Sequence, residues 1–170
     1  MILPKVSPTV LTGERVVLDP LAVAHAVEMV DVLSSTSLYV LIGGQPPSLP
    51  ELAGRYRRQI AGPVSEHETW LNWIVRFEGQ AVGFVQATLR QEGEVLCAAV
   101  AWLIRPEHQG RGLATDAAGA MVEHLRARSK VAITAWISDA NLASVSVATR
   151  LGLHRTDHQR DGEQLWNDLR

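Results

Sequence analysis

The chain is nearly without cysteine. Its one thiol, Cys97, excludes an internal disulfide and fits a reducing compartment. Long apolar runs are missing too. Those such as Val95 to Ile104 stop near ten residues, whereas a membrane span needs about 20. The opening Met1-Ile2-Leu3-Pro4-Lys5 has no charged segment leading into an apolar one, so no secretory leader is expected. Positive charge is not in excess: 16 Lys and Arg stand against 18 Asp and Glu, a net charge of −2. That is a poor footprint for nucleic acid. The six histidines show no metal-ligand spacing. His154 and His158 are four apart, but on an expected strand or loop, where that spacing does not share a face. No repeat, low-complexity stretch or linker is visible. What remains is 170 residues, 46% hydrophobic, with mean hydropathy +0.04. This suffices for a full core, expected as one domain over 1–170. The expectation is a soluble, cytoplasmic domain that holds a small ligand, with no metal, no nucleic-acid partner and no membrane partner. The sequence leaves a homodimer open.

Spacing of apolar residues sets the elements. Arg15 to Pro20 reads as a short strand stopped by proline. Ala22, Ala26, Val27, Val30 and Leu33 fall at helical spacing, so a helix is expected over 22–33. Gly43 to Ser48 is a loop of turn formers. A second helix takes Pro50 early, runs to about Ile60 and ends before Gly62-Pro63. Trp70–Phe77, Ala81–Leu89 and Val95–Ile104 read as three strands joined by short turns, an antiparallel meander. A helix over 113–129, a strand over 131–137 and a helix over 141–151 follow, with Gly152 just past the last. The tail, 154–169, has room for one or two strands around Asp161-Gly162. The expected fold is α+β: a mixed, mostly antiparallel central sheet with flanking helices and one parallel crossover in its second half.

The segment Trp102 to Ala114 carries the most chemistry. A strand ends, a loop follows with Gly110 and Gly112, and a helix opens at once. The first N–H groups of a helix have no internal partner and carry the positive end of its dipole. Glycines let a ligand come close to the backbone. Together they describe a phosphate cradle, with Arg105 and Arg111 adding charge; a plain surface turn is the alternative. Two known phosphate patterns fit badly. Leu113 stands where the Walker motif needs Lys, and Thr115 where the dinucleotide fingerprint needs its third glycine. Asp139, as a ribose-binding acid, falls 27 residues after Gly112 (139 less 112), against about 20 in that fingerprint.

The spacing that does fit is Gln109-x-x-Gly112-x-Ala114. With its strand and helix it resembles the acetyl-CoA-binding segment of the GCN5-related N-acetyltransferases (GNAT superfamily). The stretch Asn141 to Leu153 resembles the family's Asn-x-x-Ser helix ending in Leu-Gly-Phe, with Leu153 for the Phe. Arg15-Val-Val-Leu-Asp-Pro20 and Trp70-Leu-Asn-Trp73 are closest to the branch holding the ribosomal-protein N-terminal acetyltransferases. The resemblance implies that strand 95–104 splays from strand 131–137. Pantetheine would lie in the gap against Leu103 and Ile104, and Trp102 would sit beside the cofactor. Gln109, Gly110, Arg111, Gly112, Leu113 and Ala114 would hold the pyrophosphate. An N–H from the 102–104 edge would stabilise the oxyanion. A primary amine, on a small molecule or a peptide N-terminus, would attack acetyl-CoA directly.

Two residues keep double readings. Asn141 can serve pantetheine amides or cap its helix, and the cap is the safer of the two. Ser144 can donate to the departing thiolate or be a capping-turn serine. The family's frequent tyrosine is replaced by Ala148, which leaves Ser144 as the catalytic candidate. Arg150 can reach the CoA phosphates or cover its helix end; the second is favoured. Cys97 reads as a small buried hydrophobe, the five tryptophans as mostly core, and Arg55, Arg57 and Arg58 as a solvated face. Strand 95–104 has no carboxylate or histidine to act as base. Glu28, His67 or Glu68 would have to reach in, water would relay the proton, or the amine would arrive neutral. Region 22–70 should wall the acceptor site. The competing functions are a catalytically silent acyl-CoA-binding module and an NAD(P)-dependent oxidoreductase.

Overall fold

The computed structural model describes residues 7–169; Met1–Lys5, read above for a leader, lies outside them. Eight strands form one sheet in the order β1-β2-β3-β4-β5-β6-β8-β7. They are β1 (Leu11–Thr12), β2 (Val16–Pro20), β3 (Glu68–Phe77), β4 (Gln80–Glu92), β5 (Val95–Ile104), β6 (Val131–Ile137), β7 (His154–Arg160) and β8 (Glu163–Asn167). Among the described residues β5–β6 is the one parallel pair, and the others are antiparallel. The mixed, mostly antiparallel α+β sheet expected from the spacing is what forms. A doubly wound parallel sheet, which the oxidoreductase reading requires, does not. Asp139, its ribose acid, is held instead by Arg155 at 2.8 Å.

Alternation along the strands builds two cores. Trp73, Val85, Val100 and Ile133 face α4 (Leu113–Arg128) and α5 (Leu142–Arg150), where Leu113, Met121 and Ala148 meet them. The opposite side of the sheet offers Ile74, Phe84 and Leu103 to α1 (Ala26–Val32) and α3 (Leu49–Ala61), through Met29, Leu52 and Tyr56. Ser48 caps α3, exchanging hydrogen bonds with Glu51 as a capping box.

The expected helix over 22–33 is divided. A 3₁₀ turn at Val23–His25 precedes α1, and the Ala22 N–H donates to His25 Nδ1 at 3.1 Å. The four-residue α2 (Tyr39–Ile42) and two-residue β1 were not anticipated; elements that short carry no periodic signal. Among the tryptophans only Trp73 and Trp166 are buried, and Trp70, Trp102 and Trp136 are half-exposed. Cys97 is likewise only partly buried; its Sγ lies 3.7 Å from the Glu92 carboxylate, and burial raises its pKa.

One glycine positions the site. A Cβ on Gly83 of β4 would lie 1.9 Å from the Leu103 carbonyl oxygen. Only glycine lets β5 come that close at its end, where the next N–H, of Arg105, donates to Val82 O at 2.8 Å.

Candidate active site

The β5–β6 ladder stops early. Paired residues run from Leu96 opposite Val131 to Ala99 opposite Thr134. Beyond them β5 continues to Ile104, while β6 turns its pairing to β8 through Thr134–Ile137. The β5 edge past Ala99 therefore faces an opening, and an unpaired strand edge is a template for an extended ligand. The opening is a cleft of ≈ 670 Å³ lined by Trp102, Leu103, Ile104, Gln109, Gly110, Gly112, Leu113, Ala114, Asn141 and Ser144.

At the cleft's far end the chain turns into α4. Gly110 and Gly112 take φ of 72° and 77°, the left-handed region that side chains disfavour. Among the described residues the N–H groups of 110–115 meet no protein acceptor; the first helical bond is Asp116 N–H to Gly112 O at 3.0 Å. These free donors face one end of a 16-residue helix. Gln109 points its side chain elsewhere: Nε2 donates to the Ile104 carbonyl at 2.8 Å and ties the loop to the strand end.

A clasp holds this loop from the other side of the chain. The Asp116 carboxylate accepts the N–H groups of Glu14, Arg15 and Val16 at 2.8, 2.8 and 3.1 Å. Arg15 Nη1 donates to the Arg111 carbonyl at 2.7 Å. The Arg111 guanidinium lies 4.6 Å from the centre of the Phe77 ring and the Arg15 guanidinium 5.3 Å from it. Arg111 is thus outside the cleft lining, packed on an aromatic ring.

Opposite the strand edge stands the start of α5. Asn141 Oδ1 accepts the Ser144 N–H at 3.1 Å, a helix cap, which leaves its Nδ2 free for another partner. Ser144 lines the cleft, and its hydroxyl has no partner among the described residues. Ala148 is fully buried and lies outside the lining. Arg150 lies in the lining.

The candidate bases from region 22–70 are elsewhere. Glu28 is bound by Arg76 at 2.6 and 3.0 Å, and that bond holds its carboxyl below the ordinary range. Glu68 is taken by Arg90 at 2.8 Å and by the Trp70 indole, and Arg90 lowers its pKa. His67 is exposed and off the cleft. The imidazole that does line it is His108, in the turn before Gln109. Its ring meets Phe77 edge-on at 6.2 Å, and its buried Nδ1 has no partner. The sequence signal for it was position alone. Trp102 Nε1 is a second unpartnered buried atom on a cleft residue. From region 22–70, Ser37, Leu38, Leu41 and Ile42 also wall the cleft.

A strand edge that leads into a row of free backbone donors suits an extended ligand ending in phosphate. The family model of the GNAT acetyltransferase domain matches residues 15–154. The chain belongs to that family. A solved structure similar to it is RimL, the ribosomal L7/L12 alpha-N-protein acetyltransferase, in complex with coenzyme A (TM-score 0.76, 12% identity, 94% of this chain and 97% of that one). Another is the aminoglycoside acetyltransferase AAC(6')-Ib with coenzyme A (TM-score 0.71, 18% identity, 89% and 92%). A third is a GNAT-family acetyltransferase from Bacillus anthracis (TM-score 0.73, 15% identity, 94% and 96%). No curated protein matches the sequence.

Proposed function

We propose that the chain is an acetyl-CoA-dependent N-acetyltransferase, one catalytic domain working in the cytoplasm on a primary amine. The observation that carries this is the ladder that opens after Ala99 and Thr134 and leads into the free N–H groups of 110–115. The pieces fit acetyl-CoA. The β5 edge would pair with pantetheine amides, and the unpartnered Trp102 Nε1 and free Asn141 Nδ2 are donors beside it. The donors of 110–115 would take the pyrophosphate, and their backbone nature explains why Arg111 can be spent on Phe77.

Acetyl-CoA supplies an activated acyl group. A neutral amine nitrogen bonds to the acetyl carbon, the carbon–sulfur bond breaks, and the sulfur leaves with a proton that originates on the amine. An N–H at 102–104 would hold the negative oxygen, and the Ser144 hydroxyl would donate to the sulfur. The protein contributes mainly position and charge. Glu28 and Glu68 are both held in ion pairs, which leaves an amine that arrives neutral or loses its proton to water. Acetyl-CoA with a mixed amine panel should release free thiol, and calorimetry should show CoA binding without NAD binding. CoA binding with no thiol release from any amine would leave the silent binding module, the reading that the loss of tyrosine at Ala148 favours.

A further inference from the structure

The cleft has an aliphatic wall beside the end of β5. α2 supplies Leu41 and Ile42, and the 3₁₀ turn before it, Thr36–Leu38, supplies Ser37 and Leu38. Leu38 packs in one cluster with Leu103. That cluster sets the wall next to the strand end where the acetyl carbon would stand. Leu41 and Ile42 are 42% and 53% exposed, and Val40 beside them is 81% exposed. The start of α5 adds Leu142, also exposed, to the same lining. Single exposed apolar side chains are ordinary, but three in a row in a four-residue helix at a cleft call for a partner that covers them.

The lining also lacks negative charge. Among the described residues no Asp or Glu lines the cleft, and its ionisable side chains, His108 and Arg150, are of basic type. Three carboxylates lie one position from a lining residue, and each is engaged. Glu107 is held by Arg105 at 3.0 Å, Asp139 by Arg155 at 2.8 Å, and Asp116 accepts the N–H groups of residues 14–16. Asp31, at the end of α1, shares Arg105 at 3.2 Å. A molecule with several ammonium groups would lose water at this wall without gaining a counter-ion. An apolar group would gain by leaving water for the aliphatic side chains. The cofactor's needs are met elsewhere: pantetheine takes the β5 edge and the pyrophosphate takes the donors of 110–115, so α2 is left to the acceptor.

We infer that the acceptor is a monoamine with an apolar body, and that Leu41 and Ile42 determine this specificity by packing on it. The inference rests on the acetyltransferase reading. It also suits a cleft with no carboxylate. A monoamine that has shed its one proton enters uncharged, whereas a polyamine carries its other charges in with it.

The test uses the full chain with acetyl-CoA and three acceptors: leucine amide, glycine amide and lysine amide. All three present an α-amine, with pKa of about 7.7–8.0, and differ in what hangs beside it. By thiol release, leucine amide should exceed glycine amide at least fivefold in kcat/KM and lysine amide at least tenfold. Leu41→Asp and Ile42→Asp should each lower the leucine-to-lysine ratio at least tenfold. The ratio compares two acceptors on one protein, so a general loss of activity does not move it. If Leu41→Asp fails to fold, the more exposed Ile42→Asp carries the same comparison. Equal rates for leucine and glycine amides, a preference for lysine amide, or an unmoved ratio in a folded variant overturns the apolar acceptor while leaving the acetyltransferase standing. CoA binding with no thiol release from any amine overturns both.

Discussion

The two ends of the cleft are made of different material. At the α4 end, where we propose the phosphates bind, the free groups are backbone N–H atoms at 110–115, and the side chains around them serve as struts: Gln109 on Ile104, Asp116 on residues 14–16, Arg111 on Phe77. Across the open face of β3, β4 and β5 the groups on offer are side chains, and the backbone only sets their register. Backbone donors recognise a feature every CoA shares, so they can be fixed by a short local motif. Side chains drawn from several strands are not fixed by any one local motif. One scaffold can therefore keep its cofactor and change its acceptor.

The largest effect should come from Gly83, where both ends meet. A methyl group there would overlap the Leu103 carbonyl, 1.9 Å away. Backbone cannot step aside as a side chain can, so Gly83→Ala should destabilise the fold by about 3 kcal/mol. For a domain of this size that lowers Tm by roughly 6–12 °C. CoA affinity should fall as well, because Leu103 and Ile104 wall the cleft. Scanning calorimetry and CoA titration check both; an unchanged Tm would show that the strand ends move apart freely.

Next is the loop itself. Gly112→Val forces a β-branched residue to φ near 77° and crowds the donors. CoA binding should weaken at least tenfold, about 1.4 kcal/mol. Arg111→Ala should weaken it less, since the guanidinium rests on Phe77. The reverse order in calorimetry would mean that side-chain charge, not backbone, holds the phosphates. Ser144→Ala should then lower kcat about tenfold with CoA affinity intact. A kcat unchanged when chemistry limits the rate would leave Ser144 as part of the cap. Asp116→Ala removes three charge-assisted bonds to the 14–16 turn. It should cost about 1 kcal/mol of stability and weaken CoA about fivefold, because the loop loses its brace. The folding loss and the affinity loss should both be partly rescued in Asp116→Asn, which keeps an acceptor oxygen.

What could be read from the sequence follows the same division. The loop into α4 was legible because its pattern lies in consecutive positions, Gln109 to Ala114, between a strand and a helix. The meander was legible from its turns, and the α5 cap from Asn141. The row of side chains across β3, β4 and β5 was not. Nothing in Trp70-Leu-Asn-Trp73 says that Asn72 will stand beside Gln86; only the β3–β4 register does, and register is non-local. The clasp joins Asp116 to residues about a hundred positions away, and the Glu28–Arg76 pair that removes a candidate base spans 48. Gly83 did leave a sign, a lone glycine inside a strand, which marks close backbone approach.

The smallest effect should be that of His108 on the pH profile. It is the one imidazole in the cleft lining, and so the natural suspect for a base. Its place argues otherwise. It sits in the turn between the strand end and Gln109, on the phosphate side, with its ring edge packed on Phe77 and Nδ1 buried without a partner. In the proposed reaction the amine would approach from the side away from the 110–115 donors. With no base on that path, the ionisation that governs kcat/KM belongs to the acceptor: the rate should rise with pH and level off at each amine's own pKa. His108→Ala should leave that inflection where it was for every acceptor, whatever it does to the absolute rate. A series of amines of graded pKa, run on both proteins, decides the matter. An inflection fixed near pH 6–7 for all amines and lost in His108→Ala would make the imidazole the base.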